Sequence, residues 1–107
     1  MCTIVCIKSP GCCGFYARGH AGDRAVCNAV STIFYLLLNH GKRLEEKSGK
    51  QLLEYRIGKD EHEIRLLTEA EHQKQRQVSL LCSVARTGFE MLMREYPEQV
   101  EFTVKKG

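Results

Sequence analysis

The first two segments of the chain alternate between hydrophobic and polar positions. Cys2–Lys8 is rich in β-branched residues and predicts a strand. The turn-forming residues Ser9–Gly11 follow it. Cys12–Gly19 then alternates, with Phe15 and Ala17 on one face of a strand and polar residues on the other. We therefore expect a β-hairpin at the start of the chain.

The alternation changes to a spacing of three and four between Asp23 and His40, which is typical of an amphipathic helix. The hydrophobic positions with this spacing are Val26, Val30, Ile33, Phe34 and Leu37. Gly41 follows them, and glycine is common just after the end of a helix. The pattern predicts a first helix over residues 23–40.

A strongly charged segment comes after the first helix. Its centre, residues 47–50 (KSGK), has the composition of a turn, and Arg43–Glu46 and Gln51–Ile57 flank it. We expect a second hairpin here, with its charged strand at an edge or on a solvated face. Leucine, glutamate and lysine also suit helices, so a helix is the alternative.

A long helical pattern occupies residues 68–97, and Gln99–Lys106 predicts a last strand. Thr68 with Glu71 three residues later is a capping-box signature, and Pro97 marks the end of the helix. The predicted core stripe is Leu81, Val84, Ala85, Gly88, Leu92 and Tyr96. A second apolar face, which suggests a dimer, consists of Leu80, Phe89, Met91 and Met93.

The predicted element order is β-β-α-β-β-α-β. Hairpin-connected strands with two interspersed helices predict an α+β fold, a two-layer sandwich of two helices on an antiparallel-rich sheet. With 107 residues, the chain has the length of one domain, so we expect residues 1–107 to form a single domain.

Composition and charge exclude several classes of protein. Hydrophobic residues make up 43% and charged residues 27%, as in ordinary globular proteins. The net charge of +3 is too small to indicate nucleic-acid binding. The longest apolar run, AVSTIFYLLL, is about half of a membrane span, and MCTIVCIKSP at the start lacks the features of a signal peptide. We expect a cytoplasmic protein with no membrane and no direct nucleic-acid partner.

Most of the cysteines and histidines predict structural roles. The six cysteines form no C-x-x-C pair, and no histidine cluster completes a tetrahedral site, so we expect no bound metal and no cofactor. In a reducing compartment most cysteines act as small core hydrophobes. His40 is expected to interact with the dipole of a helix C-terminus, and His62 and His72 are expected to be exposed.

One histidine and one cysteine flank the predicted start of the first helix. A cysteine attacks as a thiolate, which a helix N-terminus and a neighbouring imidazole both favour. Six residues separate His20 from Cys27, which lies in about the first turn of the helix. Gly19 and Gly22 flank the histidine and Ala21, and they allow a sharp turn. The residues alone predict either a catalytic pair or a turn followed by a structural thiol.

Two nearby polar residues have two possible roles each. Asp23 is the natural helix cap, or it orients His20 as a third member of the site. Ser31 lies one turn after Cys27, where its hydroxyl bonds in the site or back to the helix backbone. The helix start also decides the oxyanion donors. The Cys27 amide is free if the helix begins near Val26, and it is engaged if the helix begins at Asp23.

This region resembles a bacterial family, the ribosomal-processing cysteine proteases called Prp, or YsxB-like proteins. The shared signature is G-H-A, a loop, D, a few residues, V-C, small residues and V-S. In this chain it stands as Gly19-His20-Ala21-Gly22, then Asp23, then Val26-Cys27-Asn28-Ala29-Val30-Ser31. The length, the two-helix order and the Tyr-Pro that ends the second helix are also similar to the family.

The resemblance implies a fold, an activity and a set of site residues. The family consists of small α+β homodimers with a histidine general base and a cysteine nucleophile, which by position are His20 and Cys27. The implied supporting or substrate-binding positions are Gly19, Ala21, Gly22, Asp23 and Ser31. The implied substrate is the N-terminal extension of large-subunit ribosomal protein number twenty-seven, whose removal lets ribosome assembly proceed.

The connection between the histidine and the cysteine is shorter than in many family members, which have a longer, glycine-containing loop there. Asp23 also lies four residues before Cys27, where the usual form has three. A second hypothesis therefore stays open. It is a non-catalytic ribosome-associated or protein-binding module that keeps the fold and has lost the processing activity.

Overall fold

The computed structural model of the protein describes residues 1–67 and 72–107. The elements are β1 (Cys2–Ser9), β2 (Cys12–Arg18), α1 (Arg24–Ser48), β3 (Leu53–Ile57), β4 (Glu61–Leu67), α2 (His72–Glu95) and β5 (Val100–Lys106). This order confirms the predicted α+β fold. Neither helix of the described ranges combines the length and the hydrophobicity needed to cross a membrane. The predicted capping box of Thr68 and Glu71 lies outside the described residues.

The five strands form one sheet in the order β3-β4-β2-β1-β5. Strand β1 pairs in parallel with β5, and the other three pairs are antiparallel. The first hairpin forms as predicted, with Phe15 and Ala17 buried and Tyr16 and Arg18 exposed. The sheet is therefore mixed and antiparallel-rich.

The two helices pack on the face of the sheet that carries the buried strand residues. Phe89 of α2 lies at the centre of this layer. Its ring centroid is 5.6 Å from that of Phe15 in β2 and 5.4 Å from that of Phe34 in α1. It is also 5.6 Å from the ring centroid of Phe102 in β5. The opposite face of the sheet carries exposed cross-strand ion pairs, so it is solvated.

The first helix is longer than the sequence pattern predicted. It continues through Gly41 and ends at Ser48, where Gly49 adopts a left-handed conformation with φ of 68°. A Cβ atom at Gly41 would lie 3.3 Å from side-chain atoms of Leu53 and Leu66. Glycine is present there because the helix approaches the sheet closely, so the predicted stop at this residue was wrong.

The hairpin predicted between Arg43–Glu46 and Gln51–Ile57 was also wrong. Arg43–Glu46 belongs to α1, where Leu44 is buried against the core. The helix-favouring residue types and this burial together explain why the segment is helical. The hairpin that forms joins β3 to β4 through residues 58–60, where the Gly58 N–H donates to the Glu61 carbonyl at 2.8 Å.

The buried face of α2 is rotated relative to the predicted stripe. Among its described side chains the buried ones are Val78, Cys82, Ala85 and Phe89, of which Ala85 was predicted. Three other residues of the predicted stripe are partly buried against the core: Leu81, Leu92 and Tyr96. Val84, predicted in the core, is 60% exposed. In the predicted second face, Phe89 belongs to the core, Leu80 and Met91 are exposed, and Met93 is partly buried. Both stripes have helical spacing, so the pattern alone could not decide which of them meets the sheet.

Candidate active site

A cavity of about 210 Å³ lies where the end of β2, the start of α1 and the β3–β4 turn meet. Four residues predicted from the sequence line it: Gly19, His20, Cys27 and Ser31. Three polar residues that were not predicted as part of the site also line it: Lys59, Asp60 and His62. Larger cavities of about 470 and 500 Å³ lie elsewhere, but none of the described residues that line them form a cysteine–histidine pair. The chemistry, not the size, therefore identifies the site.

Asp23 is the N-cap of α1. Its carboxylate accepts the N–H of Ala25 at 2.9 Å, and its carbonyl accepts the N–H groups of Val26 and Cys27 at 3.1 Å each. Its own N–H donates to the side chain of Gln99 at 2.8 Å. The Cys27 amide is therefore engaged within the helix. Of the two helix starts that the sequence left open, the structure has the earlier one, so the Cys27 amide is not available as an oxyanion donor.

The turn before α1 places the cysteine thiol. Gly19 has a φ of 86°, and a Cβ atom there would lie 2.5 Å from the Met1 carbonyl oxygen, so only glycine fits. Ala21 is buried, and its carbonyl accepts the Cys27 thiol at 3.5 Å. A Cβ atom at Gly22 would make only an ordinary contact, 3.9 Å from the Gln99 side chain, and its φ is not positive, so the turn does not require glycine there. Only one of the two flanking glycines serves the predicted purpose.

His20 contacts an aspartate that the sequence analysis missed. Its Nε2 lies 2.6 Å from Oδ1 of Asp60, and both side chains are 64% exposed. The Asp60 carbonyl also accepts the N–H of Gly19 at 3.2 Å. An exposed pair of this kind contributes about 0–1 kcal/mol to stability. The contact therefore matters mainly for the orientation of the imidazole.

His62 is half-buried rather than exposed as expected. Its ring packs against Phe34 of α1, with centroids 5.4 Å apart. Its Nδ1 is buried and lacks a hydrogen-bond partner within the described part of the chain. The alternation of His62, Ile64 and Leu66 with charged residues is the signal that could have identified it. His40 lies within α1 and is exposed, and the side chain of His72 is outside the described residues.

All six cysteines are free thiols, and Cys6, Cys13 and Cys82 form a buried cluster. A hydrogen bond with Cys13, followed by burial, raises the pKa of Cys6. At Cys13 the hydrogen bond with Cys6 lowers the pKa, but the hydrogen bond with Cys82 and burial outweigh it and raise the pKa to about 12. Burial, followed by the charge of Cys27, raises the pKa of Cys2. These thiols stay protonated and unreactive at neutral pH.

Cys27 differs from that cluster because it is half-buried and lines a cavity that also holds a histidine. The structure brings these two side chains to one cavity, although the thiol donates to Ala21 and the imidazole contacts Asp60. Ser31 lies on the same wall. Across the described residues, no group of three or more His, Cys, Asp or Glu side chains has the arrangement of a metal site.

Residues 1–101 match the protein family described as cysteine protease Prp. The chain belongs to this family. The match covers nearly the whole chain and confirms the resemblance seen in the Gly19–Ser31 stretch. The family is defined as one of cysteine proteases, which agrees with a site that contains a half-buried thiol and an imidazole. No curated protein matches the sequence of the chain.

Solved structures of other proteins share the fold. SMU.848 from Streptococcus mutans is 24% identical, with a TM-score of 0.73, and the match covers 100% of this chain and 96% of that one. The ribosomal processing protease Prp from S. aureus, in complex with a substrate peptide, is 16% identical, with a TM-score of 0.70 and coverage of 98% and 100%. Its complex with a covalently linked product peptide gives 17% identity, a TM-score of 0.64 and the same coverage.

Proposed function

We propose that this Prp-family member is a cysteine endopeptidase that removes the N-terminal extension of large-subunit ribosomal protein number twenty-seven. Family membership supports the class of enzyme. The S. aureus relative, a ribosomal processing protease solved with a substrate peptide, supports the class of substrate. The observation that carries the proposal is the presence of His20 and Cys27 on the wall of one cavity.

In the proposed mechanism, His20 takes the proton of Cys27 and the resulting thiolate attacks the carbonyl carbon of the scissile peptide. The peptide C–N bond breaks, and His20 returns the proton to the leaving amine. Water then hydrolyses the thioester and releases the enzyme. Before attack, the thiol must leave the Ala21 carbonyl that it contacts at 3.5 Å. The amides of Val26 and Cys27 are engaged, so other donors must stabilise the oxyanion.

The supporting residues have separate tasks in this proposal. Gly19 permits the turn that carries the histidine. Asp23 fixes the start of α1 and therefore the position of Cys27 in the first turn of the helix. Ala21 positions the thiol before attack. Ser31 offers a hydroxyl on the cavity wall. Gly22 lies within the connection and contributes little steric bulk.

The nucleophile is tested with a peptide that carries the extension of the host's ribosomal protein. We expect Cys27→Ala to abolish its cleavage, measured by mass spectrometry of the products. The other thiol that lines the cavity, Cys2, is buried, and burial raises its pKa, so it should not replace Cys27 as the nucleophile. Cys12→Ala is the matched control, since Cys12 lies at the opposite end of β2 and should be dispensable. Cleavage by Cys27→Ala at the unmodified rate would rule out this assignment.

The alternative is a non-catalytic module that binds the same kind of peptide. The contacts that favour it are those of the resting site, where the thiol and the imidazole each bond to another group. Binding of the extension peptide by the unmodified chain without any cleavage would support this alternative.

We further propose that the protein is a homodimer in the cytoplasm of a bacterium and that residues 1–107 form one domain. Six free thiols suit a reducing compartment. An apolar groove between α1 and α2 supports the dimer, because Leu36, Leu80 and Val84 are 59%, 67% and 60% exposed there.

A further inference from the structure

The carboxylate that contacts the histidine comes from the β3–β4 turn, far along the chain from the signature residues. We propose that Asp60 is the positioning residue of the site and that this turn is part of the catalytic machinery. The inference rests on the proposed function, because it assigns the partner of the general base. Asp23, the candidate for this role from the sequence, is occupied as the helix cap instead.

Asp60 holds the segment that carries the histidine at two points. Its Oδ1 lies 2.6 Å from Nε2 of His20, and its carbonyl accepts the N–H of Gly19 at 3.2 Å. The turn itself is closed by the hydrogen bond from Gly58 to Glu61. One backbone contact and one side-chain contact thus fix both the position and the direction of the imidazole.

The contact decides which nitrogen of His20 is available for catalysis. An ionised carboxylate only accepts hydrogen bonds, so the proton of a neutral imidazole must be on Nε2. Nδ1 then has a free lone pair that can accept the proton of Cys27. In that step the S–H bond breaks, an N–H bond forms at Nδ1, and the electron pair stays on sulfur. The Asp60 carboxylate stabilises the imidazolium until Nδ1 returns the proton to the leaving amine.

The surroundings of Asp60 provide a matched control. Lys59 and His62 are the other titratable groups of the turn and β4 that line the cavity. Glu61, the next residue, faces the opposite side of the sheet and pairs with Arg18 at 2.7 Å. Asp60→Asn and Glu61→Gln therefore each remove one carboxylate from adjacent residues, but only the first removes the partner of His20.

Two measurements test the role directly. In the unmodified protein, ¹⁵N NMR of His20 should show the tautomer with the proton on Nε2, and Asp60→Asn should shift the population toward the other tautomer. Alkylation of Cys27 at pH 7, measured by mass spectrometry with Cys12 as an internal reference, should slow by about tenfold or more in Asp60→Asn, since general-base assistance contributes about 10²–10⁴-fold. Peptide cleavage should lose kcat by a similar factor with little change in KM.

Glu61→Gln should match the unmodified protein within about twofold in these measurements. It removes the same charge as Asp60→Asn, but Glu61 pairs with Arg18 on the other face of the sheet and does not contact His20. An unchanged tautomer and an unchanged alkylation rate in Asp60→Asn would overturn the proposal. The alkylation and NMR results do not depend on a substrate. If they respond but no peptide is cleaved, the proposed function fails and the role of Asp60 stands. If Cys27→Ala abolishes cleavage but Asp60→Asn changes none of these measurements, the proposed function stands and the role of Asp60 fails.

Discussion

The turn between β2 and α1 places the two functional side chains through contacts of single residues. Gly19 lies beside the Met1 carbonyl and has a φ of 86°. This left-handed conformation turns the chain between β2 and His20. Asp23 then ends the turn by capping α1. Both roles follow from residue type, and the sequence indicated both. The contact of His20 with Asp60 did not follow, because forty positions separate the two residues and only the sheet brings them together.

Gly19→Ala should lower the free energy of unfolding by roughly 1–3 kcal/mol, because a Cβ atom there meets a backbone carbonyl at 2.5 Å and the positive φ is strained for alanine. Urea denaturation measures the change. Gly22→Ala is the control, since its nearest neighbour would be 3.9 Å away and its φ is ordinary. It should change stability by less than about 0.5 kcal/mol. Equal effects of the two variants would contradict this view of the turn.

Helices and strands were predicted correctly where nearby turn and cap residues define them, and less well where contacts with distant elements do. The β1–β2 hairpin and the start of α1 have local turn and cap residues, and both appear as expected. The end of α1 was misplaced because Gly41 serves close packing against Leu53 and Leu66, a contact with a later hairpin. Helical spacing in α2 was correct, but the stripe that meets the sheet depends on where α1 and β5 lie.

The apolar groove between α1 and α2 predicts a dimer interface. We expect light scattering at micromolar concentration to show a dimer and Val84→Glu to yield a monomer, because the charge would be buried among apolar side chains at the interface. Thr103→Glu adds the same charge on the solvated face of the sheet, and it should remain a dimer. A monomer for the unmodified chain, or a dimer that only the Thr103 variant breaks, would contradict this interface.

The whole molecule is one helical layer on one mixed sheet, and its core includes a cluster of thiols from three elements. Cys6 of β1, Cys13 of β2 and Cys82 of α2 are buried at the end of the sheet away from the cavity. Cys82 lies far along the chain from the other two, so the cluster became visible only in the fold. As neutral groups they pack like small hydrophobes, and as thiolates they would be costly to bury.

This cluster predicts a loss of stability in alkali. The unfolded chain releases the Cys13 proton near pH 9, whereas the folded chain holds it to about pH 12. Above pH 9 the folded state therefore binds more protons, and the free energy of unfolding falls with pH by up to about 1.4 kcal/mol per unit for such a thiol. The stabilisation is complete below pH 9 and is lost as the pH rises to 12.

Urea denaturation between pH 7 and 10 measures this slope. Cys13→Ala is the comparison, since it removes the thiol and should give a shallower slope above pH 9, whatever its stability at pH 7. Parallel curves for the variant and the unmodified protein would show that the cluster does not titrate in this way.

The sequence by itself determined the class of fold, the hairpin at the start, the cap of α1 and the candidate pair in the Gly19–Ser31 stretch. These features depend on the period of hydrophobic residues and on turn and cap residues, which act over a few positions. The tertiary structure decided the end of α1, the buried stripe of α2, the clustering of the buried thiols and the aspartate beside His20. Each of these depends on contacts between elements that are distant in the chain, because packing and register bring such residues together.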